Sequence, residues 1–166
     1  MTMDDDLSRI ALQEQQLVFA RFDEEDAWTI GGQLRAWAIA RAAPIVIDIR
    51  LFHRELFFAA LPGAVPDNVE WARRKINTVR RFHKSSYAVG LELKVKNTSL
   101  EERYGLSLTD YAAHGGAFPV TVEGTGVVGC ITVSGLPQRD DHSLVVESIC
   151  TVLGVNGSDF VLGNAA

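Results

Sequence analysis

The sequence predicts a single mixed α/β domain in which β-hairpins and amphipathic helices are flanked around one core. Three observations carry this expectation. The chain has 166 residues, 47% of them hydrophobic, which is enough for one well-buried core and too little for two. Several segments repeat their apolar residues every three or four positions, the period of a helix with one buried face. Others alternate in polarity or run in β-branched residues between turn formers, as half-buried strands do. We therefore expect one domain over 1–166, with a helical amino-terminal segment over about 4–42.

The first element is a helix. Asp4, Asp5 and Asp6 place carboxylates at its positive end, and Leu7, Ile10, Ala11, Leu17 and Val18 continue the apolar pattern. A second acidic run, Asp23 to Asp26, precedes Ala27, Ile30, Leu34, Trp37 and Ala38 at helical spacing. Gly31 and Gly32 weaken that helix by about 1 kcal/mol each, so either it starts near them or another backbone packs closely there.

After Pro44 the run Ile45 to Leu51 reads as a strand, and Glu55 to Ala60 as its hairpin partner across Phe52-His53-Arg54. His53 reads as a solvated turn residue. Asp67 or Asn68 is placed to cap the next helix, whose apolar stripe is Val69, Ala72, Ile76, Val79 and Phe82. Its other faces carry Arg73, Arg74, Lys75, Arg80, Arg81 and Lys84. That surface reads as a solvated face, an anion site, or a partner face for the acidic amino-terminal helix of another subunit. Alternation in Ser85 to Asn97 permits a strand, with a helix from Ser85 or Ser86 as the competitor. Tyr104-Gly105 ends a helix, and Ser107 or Thr109 is placed to cap a short one over 110–114.

Glycine placement makes the last third distinctive. Gly115-Gly116 permits positive φ angles and close approach of a ligand, and Glu123-Gly124-Thr125-Gly126 supplies a turn between Val120–Val122 and Val127–Val133. Gly124, Gly126 and Gly129 match a dinucleotide fingerprint in spacing alone. A strand follows them, not the helix whose amino terminus would hold a pyrophosphate. Ser134-Gly135-Leu136-Pro137 closes the strand, and a helix from Gln138 to Cys150 follows, capped by Asp140 or Asp141 with His142 in its first turn.

Composition excludes some functions. Charged residues are 22% of the chain, and no window nears the roughly 18 apolar residues of a membrane span. The net charge of -5 and the lack of aromatic residues interleaved with the basic helix argue against nucleic acid. The start Met1-Thr2-Met3-Asp4-Asp5-Asp6 is acidic where a secretory signal is basic, so a cytoplasmic location is expected. Cys130 and Cys150 have no metal or redox spacing and read as buried free thiols.

The stretches Gly115-Gly116-Ala117-Phe118-Pro119-Val120, Gly124-x-Gly126-Val127-Val128-Gly129 and Val133-Ser134-Gly135 with Asp141 resemble the haem-degrading-domain family (HbpS/GlcG-like). Arg73-Arg74-Lys75, Asn77-Thr78-Val79, Ser85-Ser86, Tyr104-Gly105-Leu106, Asp110 to Gly116 and Gly135-Leu136-Pro137-Gln138 with Asp141-His142 resemble most closely its cytoplasmic branch, which has no assigned reaction. The resemblance covers about three-quarters of the chain.

It implies a profilin-like layered domain with a mostly antiparallel central sheet flanked by helices, a helix over 85–97, and homo-oligomers. It also implies small-molecule binding, with haem as the cofactor to consider and no metal site of the protein's own. Iron needs a donor in an apolar pocket, and His114, beside Gly115-Gly116, is best placed, with Asp110 orienting its ring from one helical turn away. The candidate ligand-binding residues are His114, Gly115, Gly116, Phe118, Ser134, Asp141 and His142, and Arg73, Arg74, Arg80 and Arg81 form the anion or partner face. Two alternatives stand beside this: a non-catalytic oligomeric scaffold, and an enzyme pairing His114 with Asp110, or His142 with Asp140, as acid and base beside Ser134 or Thr132.

Overall fold

The computed structural model describes residues 3–163; Met1 and Thr2, which belong to the amino-terminal reading, and residues 164–166 lie outside them. Helices α1 (Met3–Gln16) and α2 (Glu24–Ala40) lead into β1 (Val46–Leu51) and β2 (Arg54–Ala60). Three helices follow, α3 (Pro66–Phe82), α4 (Ser86–Val95) and α5 (Leu100–Tyr104). The hairpin β3 (Ala117–Val122) and β4 (Gly126–Ser134) then precedes α6 (Gln138–Leu153) and a 3-10 turn at Gly157–Phe160.

The four strands form one antiparallel sheet in the order β2-β1-β4-β3. Period-two alternation decides what each face holds. Ile47 and Ile49 on β1, Ile131 and Val133 on β4, and Phe118 and Val120 on β3 point to the main core, beneath α2 and α6. The opposite face offers Ala117 and Cys130 to Ile76 and Val79 of α3. The result is three layers, helices on both sides of a sheet.

Several local expectations need correction. The first helix stops at Gln16, because Phe19 leaves it to pair with the edge of β3 at Val122. Helix α2 does begin at the second acidic run, with Asp23 accepting from the Glu25 and Asp26 amides. It passes through Gly31 because the Phe57 ring, a side chain and not a backbone, lies where a Cβ would go. Neither Asp67 nor Asn68 caps α3. Val65 holds that position before Pro66, and Asn68 reaches back to accept from the Val65 amide at 2.8 Å.

Residues 86–95 are helical, the outcome the family resemblance implies, and not the strand that alternation permits. Ser85 caps this helix through the Ala88 amide, and Ser86 to Leu91 are all buried, so alternation there does not mark a water-facing side. No helix forms over 110–114. The Asp110 and Tyr111 amides both bond the Ser107 carbonyl in a turn. Pro137, not Asp140 or Asp141, stands at the cap of α6.

Candidate functional site

Helix α3 carries Lys75 between Ala72 and Val79, on its buried side. Its ammonium Nζ lies 2.9 Å from Asp141 Oδ2 and 3.3 Å from the Val133 carbonyl, in the first turn of α6 and the end of β4. Both side chains are almost fully buried. Burial pushes the Lys75 ammonium down and the Asp141 carboxyl up from their ordinary values, and their mutual attraction opposes both shifts. Asp141 is further satisfied by the Leu136 amide at 3.0 Å and the Gly135 amide at 3.4 Å. Gly116, at φ +135°, leaves room for this pair, since a Cβ there would stand 2.6 Å from Lys75 Nζ.

Lys75 therefore does not belong to the exposed basic surface expected from the sequence. Arg73 and Arg74 are also engaged. They donate to the Thr109 and Leu108 carbonyls at 2.8 and 3.2 Å, while Asn77 and Thr78 hold the Asp110 and Ala112 carbonyls at 2.8 and 2.9 Å. Four side chains of α3 thus tie down the loop that delivers His114. Arg80 donates to the Phe52 carbonyl, and Arg81 lies with it along a separate groove beside Asp110 and Tyr111.

His114 meets Trp71 edge-on, with ring centroids 5.1 Å apart, and Arg74 stacks over the Trp71 ring at 4.1 Å. Partial burial, then the charges of Lys75, Lys94 and Arg74, hold the imidazole below its ordinary value, so it is neutral at pH 7. Asp110 does not orient it. That carboxylate faces Arg73 at 3.1 Å, and the segment lacks the helical turn the pairing required.

His114, Trp71, Lys75, Ser134, Gln138 and Asp141 line one open cleft of about 240 Å³, together with Asn68, Gly135 and Leu136. Gly115 stands at its edge and donates to Gln138 Oε1 at 3.1 Å. Phe118 and His142 are elsewhere, buried in the interior, where His142 Nε2 lies 2.8 Å from Gln13 Oε1. Neither proposed histidine–aspartate acid–base pair is therefore assembled. Among the described residues no group of three His, Cys, Asp or Glu can hold a metal ion, and both cysteines are buried free thiols.

Lys75 and Trp71 escaped the sequence reading of the site. Lys75 had a usable signal, because it stands three residues after Ala72 and four before Val79 of the buried stripe. Trp71 had none without knowing which loop crosses α3.

Four known proteins or families match this chain. A sequence model of the family "Haem degrading protein HbpS-like" matches residues 22–150. A UPF0303 protein of Acidobacterium capsulatum is 54% identical over 165 residues, covering 99% of this chain and all of that one. Among solved structures, the Ybr137w protein superposes with a TM-score of 0.82 at 29% identity, over 89% of this chain and 87% of that one. A PduOC–haem complex superposes at 0.65 with 17% identity, over 78% and 93%, a likeness of fold.

Proposed function

Because this chain belongs to the HbpS-like family of haem-degrading proteins, we propose that it is a small-molecule-binding protein whose Trp71–His114 cleft takes haem. The observation that carries the reading is His114 itself: an exposed, neutral imidazole against an aromatic wall, above a buried ion pair. A neutral ring nitrogen is the form that ligates iron. The PduOC structure, which is a haem complex on the same fold, supports the choice of ligand.

His114 supplies the donor, and Trp71 and Leu136 are the apolar part of an otherwise polar lining. A pocket that swallows a drug-sized ligand measures roughly 300–1,000 Å³. This cleft, at about 240 Å³, accepts one edge of a porphyrin. Bound haem would supply an iron centre, His114 would hold it, and the loop tied to α3 would fix the ring that holds it. Titration of the protein with haemin is expected to give a saturable Soret shift that His114→Ala abolishes; a wild-type protein that leaves the haemin spectrum unchanged overturns the assignment.

A second reading, self-association, rests on the outer edge of β2, which among the described residues pairs with no strand but β1 and is flanked by exposed Trp28 and Phe58. It does not rest on charge, since Arg73, Arg74 and Asp6 find partners within the chain. A cytoplasmic location is supported by the two free thiols. No described helix is long and apolar enough to cross a membrane.

A further inference from the structure

Hydrogen-bond accounting inside the cleft gives its ligand a chemical class. The carboxylate and side-chain amide oxygens of the lining are each engaged. Asp141 receives three donors, from Lys75, Leu136 and Gly135. Gln138 Oε1 takes the Gly115 amide, and Asn68 Oδ1 takes the Val65 amide. The donors are left over. Lys75 has three N–H groups and spends two, on Asp141 and Val133. The Gln138 and Asn68 amide nitrogens bond no acceptor among the described residues, so each presents two more N–H groups.

Lys75 and Gln138 both stand at the Gly115–Gly116 turn. Gly115 and Gly116 are consecutive, the first bonded to Gln138 and the second with its Cα hydrogen facing Lys75 Nζ and Asp141. Lys75, Lys94 and Arg74 each disfavour a charged His114. Asp141 is the one carboxylate in the lining, and its charge is offset by the lysine and two backbone amides.

We infer that the floor of the cleft is a carboxylate-binding subsite, in which Lys75 and the Gln138 amide each donate to a ligand carboxylate. The inference rests on the cleft being the ligand site, and it names the group held at its floor. Two sources share the chemistry: a propionate of haem, or a free small carboxylic acid.

Gln138→Glu is the informative variant. It keeps the acceptor that holds the Gly115 amide and replaces the spare donor with a negative charge. Wild type and variant are titrated with haemin, with haemin dimethyl ester, whose propionates are blocked, and with propionate alone by calorimetry. Wild type is expected to bind haemin about 10- to 100-fold more tightly than the ester, the range of a charge-assisted hydrogen bond. Gln138→Glu should remove that advantage, bringing the affinity for haemin down to that for the ester.

Binding of propionate that Gln138→Glu abolishes, without haemin binding, sustains the subsite, assigns it to a free acid, and overturns the haem reading alone. Equal affinity for haemin and its ester, unaltered by Gln138→Glu and with no propionate binding, overturns the subsite and leaves haem binding standing. The double variant Lys75→Met/Asp141→Asn removes both buried charges together, which avoids leaving one unpaired, and should lose the same advantage.

Discussion

His142 shows at the scale of one residue how completely burial can decide chemistry. Its ring lies against Tyr87 and Phe118, with centroids 5.3 and 5.8 Å away, and its Nδ1 has no hydrogen-bond partner among the described residues. Burial, then the nearby Arg139 charge, pushes it down to about 3, against an ordinary value of about 6.5. Between these values the unfolded chain binds a proton that the native state refuses. Stability from this group is therefore fully present above pH 6.5 and is lost as pH falls toward 3, at up to about 1.4 kcal/mol per pH unit. Urea midpoints measured between pH 6.5 and 5 should fall more steeply for wild type than for His142→Gln; parallel slopes would refute the buried neutral assignment. Sequence alone pointed to His142 and His114 alike as polar residues near glycine turns. What separated them was solvent: His114 faces a cleft and His142 faces Gln13 of α1, 129 positions away. Local spacing carries no trace of such a partner.

Elements were legible where one face met water. The stripe on α3 gives its period directly, because burial changes around it, whereas β4 is buried without a break from Gly129 to Ser134 and is marked instead by the glycine turn before it. Helix α4 is hidden on nearly all sides, so its sequence lost the contrast that distinguishes periods, and alternation was left to mislead. The glycine pair in α2 makes a sharper case. Gly31 and Gly32 read identically in the sequence, yet a Cβ at 31 would overlap the Phe57 ring while one at 32 meets nothing within 4 Å. Gly32→Ala should raise stability by about 0.4–1 kcal/mol through helix propensity and a less disordered unfolded chain. Gly31→Ala gains the same propensity but must displace Phe57 from the β2–α2 contact, and should lower stability by about 1–3 kcal/mol. Chemical denaturation of the two variants decides it; equal effects of either sign would mean that Phe57 moves freely.

At the scale of the whole molecule the layers are unequal. Helices α2 and α6 cover one face across the sheet, whereas α3 covers β3, β4 and part of β1, so β2 projects past it. A groove of about 430 Å³ opens there, lined by Phe58, Val69 and the Asp48–Arg50–Glu55 charges. Trp28 on the other face is 69% exposed and lies edge-on to Phe57, so apolar surface flanks the strand on both sides. An edge strand with an unpaired row of N–H and C=O groups is a template for another strand, and a twofold axis lets identical edges serve each other. Antiparallel pairing of β2 with β2 of a second copy would join two four-stranded sheets into one of eight, burying Phe58 and Trp28 from each side. Phe58→Lys places a charge at this seam without touching the main core, where Phe58 has no part. Sedimentation should find wild type at a multiple of the 18.2 kDa chain and Phe58→Lys at the chain mass, with the same circular dichroism. A variant that stays associated would move the contact away from β2, and a wild type that sediments as a monomer at its highest soluble concentration would end the reading altogether.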